Sequence, residues 1–194
     1  MGVTGVPHGL GHNQGPTMEP GGSWRTLCWR KARAELLPKT LPIEIIRGRV
    51  RRAKELGLDY SSYASIRAAS GHDVVAILFS SNALRTFPGT SAPKDRVEKL
   101  SRLTACKRTG LAVAPLSALA LIKAVDQLDD AYPAPRPFAA WARQKAELRL
   151  ACGATPGDQV LLVGDSAAER EWLQSGRFAG YLSADRYFVD QTGV

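Results

Sequence analysis

Residues 74–79 read Val-Val-Ala-Ile-Leu-Phe, a short apolar run that no polar side chain interrupts. A run of this length is typical of a strand that is buried on both faces of a parallel sheet. The run is followed by Ser80, Ser81 and Asn82, which are residue types common in turns and are expected to end the strand. The run therefore predicts the first strand of an α/β domain.

Further apolar runs and helical patterns follow towards the C-terminus. Strands are predicted over 111–114, 159–163 and 178–182. Helices are predicted between them, over 93–107, 117–128, 138–152 and 167–175. Gly110 is expected to stop the first of these helices, and the proline-rich segment 131–137 is expected to be a loop. The side chains expected to face inward from the helix 138–152 are those of Phe138, Trp141, Ala142, Leu148 and Cys152.

The alternation of strands and helices decides the fold class. Strands that are separated by helical crossovers pair in parallel, and the helices cover both faces of the sheet. We therefore expect a mostly parallel, Rossmann-like sheet flanked by helices, with the strands 74–79, 111–114 and 159–163 as parallel neighbours or near-neighbours. The α/β domain is predicted to cover 71–194.

A helical segment over 23–70 precedes this domain, after a tail over 1–22 that is rich in Gly and Pro. Helices are predicted over 23–37 and 42–56, and a third helix is expected to begin at Asp59 or Ser61 and to end at Gly71. In the helix 42–56 the apolar residues that recur at helical spacing are Ile43, Ile46, Val50 and Ala53.

The composition favours a globular protein with an anionic partner. The chain has 194 residues, of which 44% are hydrophobic, and 26 Lys and Arg face 18 Asp and Glu for a net charge of +8. A basic surface attracts nucleic acid or a phosphorylated small molecule. Residues 1–22 hold no Lys or Arg and no apolar core, so we expect no secretory signal there. The sequence has no apolar run of membrane length and its three cysteines are scattered, so we expect a cytoplasmic protein with reduced thiols and no membrane partner. No particular cofactor is indicated.

The first candidate site is a turn after the strand 159–163, with the sequence Gly164-Asp165-Ser166. Ligands of open α/β sheets bind beyond the carboxyl ends of the strands, and backbone N–H groups at a helix N-terminus can receive an anion. We therefore predict an anion or ligand site formed by Gly164, Asp165 and Ser166 together with Ser80, Ser81 and Asn82. The alternative is that Asp165 and Ser166 only cap the following helix.

This turn resembles the late Gly-Asp-Ser motif of haloacid-dehalogenase-type phosphatases, whose carboxylates hold magnesium. The resemblance implies a metal-ligand role for Asp165, with Glu169 at the position of a second Asp. The nucleophile of that family belongs to an Asp-x-Asp pair after the first strand, where this sequence has Ser80-Ser81-Asn82. A serine hydrolase would need a histidine to activate Ser166, and no histidine follows it.

The second candidate site is the basic helix 42–56 and the short helix after it. The spacing of Ala53, Gly57, Tyr63 and Ile66 resembles the helix-turn-helix pattern, which implies contacts of the second helix with a DNA groove. The residues predicted to bind nucleic acid are Arg47, Arg49, Arg51, Arg52, Lys54 and Arg67. The alternative is a solvated, charged helix face beside an ordinary helical corner.

A longer resemblance runs from the tail residues His12-Asn13-Gln14-Gly15-Pro16 to Ser80-Ser81-Asn82-Ala83-Leu84. It is to a small family of bacterial proteins, and it implies no activity. The sequence therefore predicts a non-catalytic cytoplasmic protein that binds a polyanion, a nucleic acid or a nucleotide. The alternative is a phosphate-handling hydrolase of haloacid-dehalogenase-like fold that uses Asp165.

Overall fold

The computed structural model describes residues 41–189, so the predicted tail 1–22 and the predicted helix 23–37 lie outside the described residues. The helices of the described part are α1 (Ile43–Glu55), α2 (Tyr60–Ser70), α3 (Lys94–Ser101), α4 (Ala118–Ala124), α5 (Trp141–Cys152), α6 (Ala167–Gly176) and α7 (Ala184–Phe188). Its strands are β1 (Ala76–Ser80), β2 (Lys107–Ala112), β3 (Asp130–Pro133), β4 (Val160–Gly164) and β5 (Gly180–Ser183). A single 3-10 turn, Gly157–Gln159, leads into β4.

These strands form one parallel sheet in the order β3-β2-β1-β4-β5. Ala76 of the central strand β1 lies opposite Lys107 of β2 on one side and opposite Val160 of β4 on the other. The predicted Rossmann-like fold is confirmed, and the predicted parallel neighbours are confirmed with it. The chain runs outward from β1 to β3 and then crosses over to β4. The switch point of the sheet therefore lies between the carboxyl ends of β1 and β4.

The buried side chains of the central strands alternate between two apolar layers, one on each face of the sheet. Ile77 and Phe79 belong to one layer, and Ala76 and Leu78 belong to the other. Helices α1 and α2 add Ala53, Tyr63 and Ile66 to the first layer, and helices α5 and α6 add Leu148 and Trp172 to the second. Helices α1 and α2 therefore share their core with the sheet.

The corner between α1 and α2 follows the sequence prediction closely. Gly57 has a φ of +64° after the end of α1, and Gly71 has a φ of +77° at the end of α2. The carboxylate of Asp59 caps α2, because its Oδ1 accepts a hydrogen bond from the N–H of Ser62 at 2.7 Å. The face predicted for α1 is only partly correct, since Ala53 is buried and Ile43 is exposed.

The second strand begins earlier than predicted. β2 covers Lys107–Ala112 instead of 111–114, and α3 ends at Ser101 instead of 107. Gly110, which was expected to stop a helix, lies inside β2, where a Cβ would come within 2.8 Å of side-chain carbons of Leu121 and Leu128. This glycine allows the side chains of Leu121 and Leu128 to approach the sheet closely. A glycine in the sequence does not by itself distinguish this role from that of a helix stop.

The segment predicted as a loop over 131–137 begins as a strand. Asp130–Pro133 form β3 at the edge of the sheet, where a proline at the last position of a strand is tolerated. α5 then begins at Trp141 instead of 138. Leu148 and Cys152 are buried as predicted, whereas the residues that were wrongly expected to face inward are exposed, namely Phe138, Trp141 and Ala142.

Candidate functional site

The two serines at the end of β1, Ser80 within the strand and Ser81 directly after it, are buried. Ser80 is fully buried, and its Oγ accepts a hydrogen bond from the N–H of Ala83 at 3.0 Å. Ser81 is 1% exposed, and its Oγ accepts a hydrogen bond from the N–H of Val113 at 3.1 Å. Both hydroxyls therefore hold backbone turns of the protein itself.

Glu169 connects the two parts of the predicted anion site. Its Oε1 accepts a hydrogen bond from Nδ2 of Asn82 at 2.8 Å. Its Oε2 accepts hydrogen bonds from the backbone N–H groups of Asp165 and Ser166, at 2.6 and 3.1 Å. The residue is 2% exposed. The sheet thus brings both predicted loops together at the switch point, and a carboxylate of the protein accepts from their donors. An external anion at this turn would have to displace that carboxylate.

The local sequence explains why Glu169 reaches this position. Ser166 is the N-cap of α6, and its hydroxyl and the carboxylate of Glu169 form a capping box. Gly164 leaves room for the carboxylate, because a Cβ there would lie 2.9 Å from Oε2 of Glu169 and 2.8 Å from the Tyr181 ring. The glycine, the serine and the glutamate therefore act as one structural unit.

The phosphate-handling alternative depends on Asp165, whose side chain is exposed at the carboxyl end of β4. Ser80 ends β1 and Asn82 follows it, at the place where the resembled phosphatases carry carboxylates. Both side chains are engaged in the bonds described above. Within residues 41–189, no three His, Cys, Asp or Glu side chains come together as a metal-binding group. The alternative stays a prediction that depends on one carboxylate.

The described cysteines are free thiols. Burial raises the pKa of Cys152 to about 11, so this thiol keeps its proton near neutral pH. Burial also raises the pKa of Cys106. Neither group has the lowered pKa that marks a nucleophilic cysteine.

A second set of predicted residues meets in a cavity of about 470 Å³ between α1 and α2. We call this cavity the basic pocket. The predicted nucleic-acid-binding residues that line it are Arg49, Arg51, Arg52 and Arg67. Two carboxylates, those of Glu55 and Asp73, also line it. Arginines therefore outnumber carboxylates by two to one in its wall.

Arg52 is the fixed member of the basic pocket. Its guanidinium donates to Glu55 at 2.8 Å and to Asp73 at 3.1 Å. It also donates to the backbone carbonyls of Val74 at 2.8 Å and Ala105 at 3.1 Å. Burial lowers the pKa of Arg52, but its bonds to the two carboxylates outweigh that effect and raise the pKa overall. Arg52 is thus a permanent cation that ties α1 to the chain leading into β1.

Asp73 also orders the opposite wall. The hydroxyl of Tyr63 donates to Oδ1 of Asp73 at 2.8 Å, and Nη1 of Arg67 lies 3.3 Å from the Tyr63 hydroxyl and 3.6 Å from the same carboxylate oxygen. Burial, followed by the contact with Asp73, raises the pKa of Tyr63. One carboxylate therefore positions two cations and a phenol around the pocket.

The remaining predicted cations differ in their partners. Arg47 forms an exposed ion pair with Glu44 at 2.8 Å. Arg49, Arg51 and Lys54 form no ion pair and no side-chain hydrogen bond with another described residue. Of these three, Arg49 and Arg51 line the basic pocket and Lys54 does not. Within residues 41–189, the guanidiniums of Arg49 and Arg51 thus have no acceptor for their donors.

Sequence reasoning missed Asp73, and it considered Glu169 only as the counterpart of a metal-binding Asp and not as the acceptor for two loops. The pattern Ser166-Ala167-Ala168-Glu169 is a capping-box signature and could have identified the role of Glu169. Asp73 offered no such signal, because its partners Arg52 and Tyr63 lie 21 and 10 residues away in the chain.

None of the helices within 41–189 has both the length and the apolar character that a membrane crossing requires. No family model matches the sequence, no curated protein matches it significantly, and no solved structure matches the chain significantly. A function for this protein must therefore be argued from the geometry of its own residues.

Proposed function

We propose that this protein binds a phosphate-bearing polyanion, and nucleic acid in particular, through the basic pocket and the exposed face of α1. The observation that carries the proposal is the pair of unpaired guanidiniums, those of Arg49 and Arg51, beside an arginine that the protein holds in place. Arginine presents a rigid fork of donors that matches two phosphate oxygens at once.

The arrangement of α1 supports a ligand with repeated phosphates. Arg47, Arg51 and Lys54 are exposed and lie at helical spacings of four and three residues. Residues at these spacings share one face of a helix. A row of cations beside a pocket of arginines suits a chain of phosphates better than a single anion, because every neutralised phosphate releases counterions.

Asp73 contributes to the proposed function by positioning arginines of the basic pocket. It holds Arg52 and approaches Arg67, so part of the positive wall is ordered before any ligand arrives. Ordering side chains in advance lowers the entropy cost of binding. The two carboxylates of the pocket are engaged with Arg52, which leaves Arg49 and Arg51 for the ligand.

The test is the salt dependence of binding to a fluorescein-labelled DNA duplex, measured by anisotropy from about 50 to 200 mM salt. The variant Arg49→Ala/Arg51→Ala should flatten the log–log slope by about two units, since each phosphate contact contributes about 0.9. Its free energy of unfolding should stay within about 0.5 kcal/mol of the wild-type value.

The matched control is Lys94→Ala/Arg136→Ala, which removes the same charge from exposed residues outside the basic pocket. It should keep the wild-type slope. A wild-type protein that does not bind the duplex at about 50 mM salt would refute the proposal, and so would a control variant whose slope flattens as much.

A further inference from the structure

A second cavity, of about 700 Å³, lies along the edge strand β5. We call it the edge groove. Its floor is the run of residues 178–182, one wall is α2 with Ser62 and Ile66, and the other wall is the end of α6 with Leu173 and Gln174. The contact between Ile66 and the backbone of Gly180 places α2 directly over one face of the strand, since a Cβ at Gly180 would lie 3.1 Å from Ile66. The groove thus follows the sheet edge between two helices.

The peptide groups of β5 are only half used. In a parallel ladder, alternate residues direct their N–H and C=O groups to opposite sides of the strand. β5 pairs with β4 and has no second neighbour among the described strands. Every second peptide group of β5 therefore faces an edge with which no described strand pairs, where another extended chain can pair with it.

The two edges of the sheet differ in their protection. The opposite edge strand, β3, begins with Asp130 and ends with Pro133, and charges and prolines discourage pairing at an edge. β5 reads Gly-Tyr-Leu-Ser and contains neither a charge nor a proline. It is the less protected edge of the two.

The charges of the edge groove indicate what would pair there. Arg177 and Arg186 line it and are exposed. Arg186 donates to the hydroxyl of Ser62 at 2.9 Å, and neither arginine forms an ion pair with a described carboxylate. The carboxylate in the lining, that of Asp158, lies 3.3 Å from Nδ1 of His72. A second copy of the chain would bring identical arginines together, whereas an acidic chain would complement them.

We propose that the edge groove binds an extended peptide with acidic side chains, which adds to the sheet as a strand beside β5. The backbone of the peptide pairs with the free edge, and its carboxylates meet Arg177 and Arg186, which line the groove. A four-residue strand spans about 13 Å, so a peptide of four to six residues matches the length of β5.

The test uses the full-length, ¹⁵N-labelled protein and three synthetic hexapeptides. The first is acetyl-Glu-Val-Glu-Val-Glu-Val-amide, the second has Lys in place of Glu, and the third is the acidic peptide with every backbone nitrogen methylated, which removes the donors of both strand edges. The acidic peptide should shift the amide resonances of 180–183 and bind about tenfold or more tightly than the lysine peptide. Methylation should abolish binding, because it removes the donors that pair with the strand edge.

The variant Arg177→Glu/Arg186→Glu should reverse the preference in favour of the lysine peptide. The variant Lys94→Glu/Arg136→Glu has the same change of net charge and should keep the wild-type preference. The Arg49→Ala/Arg51→Ala protein should bind the acidic peptide normally, so a failure of the polyanion proposal leaves this one intact.

Three results would overturn the proposal. One is binding of the methylated peptide as tight as that of its parent, which excludes strand pairing. Another is a shift of the 180–183 resonances with protein concentration alone, which identifies a second copy as the occupant. The third is no saturable shift of these resonances by the acidic peptide up to about 1 mM, a concentration at which even weak peptide complexes form.

Discussion

The Gly-Asp-Ser turn and the basic pocket are both candidate anion sites, and they differ in how many of their hydrogen-bond donors already have acceptors within the protein. At the turn, Asn82 and two backbone N–H groups all donate to Glu169. At the pocket, Asp73 and Glu55 engage Arg52, and the guanidiniums of Arg49 and Arg51 keep their donors free. The proposed anion site is therefore the region in which the described donors outnumber the described acceptors.

Two carboxylates, those of Glu169 and Asp73, also have different roles in these regions. Glu169 is 2% exposed and accepts bonds from two loops, so it closes the switch point of the sheet. Asp73 is partly exposed and holds the cations at one side of an open pocket. The same chemical group caps a helix in one region and orders arginines in the other.

The largest change in stability is expected for a substitution of Glu169. Glu169→Ala leaves three donors without their acceptor and removes the capping box of α6. Buried donors that lose a charged partner are costly, and we expect a loss of about 3 kcal/mol in the free energy of unfolding. Urea denaturation followed by circular dichroism measures it.

The control for Glu169 lies two residues further along the same helix. Glu171 is exposed, and Glu171→Ala should change stability by less than about 0.5 kcal/mol. A loss below about 1 kcal/mol in Glu169→Ala would show that the carboxylate does not hold the switch point.

The next effect distinguishes Arg52 from its neighbour Arg51. Arg52→Ala removes bonds to two carboxylates and two backbone carbonyls, and we expect it to destabilise the protein by about 2 kcal/mol. Arg51→Ala should leave stability within about 0.5 kcal/mol of wild type and weaken DNA binding instead. Equal stability of the two variants in urea would contradict the structural role of Arg52.

Much of the fold could be predicted from the sequence, because its signals are local or strongly apolar. The run 74–79 identified the central strand, and Gly57, Asp59 and Gly71 marked the ends of α1 and α2. β3 was missed because Pro133, together with the prolines that follow the strand, is typical of a loop. Gly110 was misread because the reason for it is the packing of Leu121 and Leu128, which lie 11 and 18 residues away.

The candidate sites could be predicted only in part. The topology rule correctly brought the loops after β1 and β4 together, since carboxyl ends of adjacent parallel strands share one edge. The sequence could not show that Arg52 is bound to the protein while Arg51 is free. That difference depends on Asp73, Val74 and Ala105, which only the folded chain places beside α1.

Smaller changes in stability, of opposite sign, are expected for substitutions of two glycines, one at the Gly-Asp-Ser turn and one in α1. Gly164→Ala places a Cβ against Tyr181 and Glu169 and should destabilise the protein by about 1 to 2 kcal/mol. A Cβ at Gly48, inside α1, meets no atom within 4 Å, so Gly48→Ala should stabilise the protein by about 0.5 to 1 kcal/mol. Thermal denaturation should move the melting temperatures of the two variants in opposite directions, and shifts of the same sign would contradict the packing around Gly164.

The smallest effect is a pH dependence in the basic pocket. Because burial and Asp73 raise the pKa of Tyr63, the folded protein keeps this proton at pH values where the unfolded chain, with a tyrosine pKa of about 10, has lost it. The unfolded state then binds fewer protons, so this contribution to stability is complete below pH 10 and is lost as the pH rises above it. Tyr63→Phe should therefore lose less stability than wild type between about pH 8 and pH 10.5, in urea titrations at both values. Tyr60→Phe, which changes an exposed phenol at the start of the same helix, should keep the wild-type dependence, and a Tyr63→Phe protein that does the same would disprove the link between Tyr63 and Asp73.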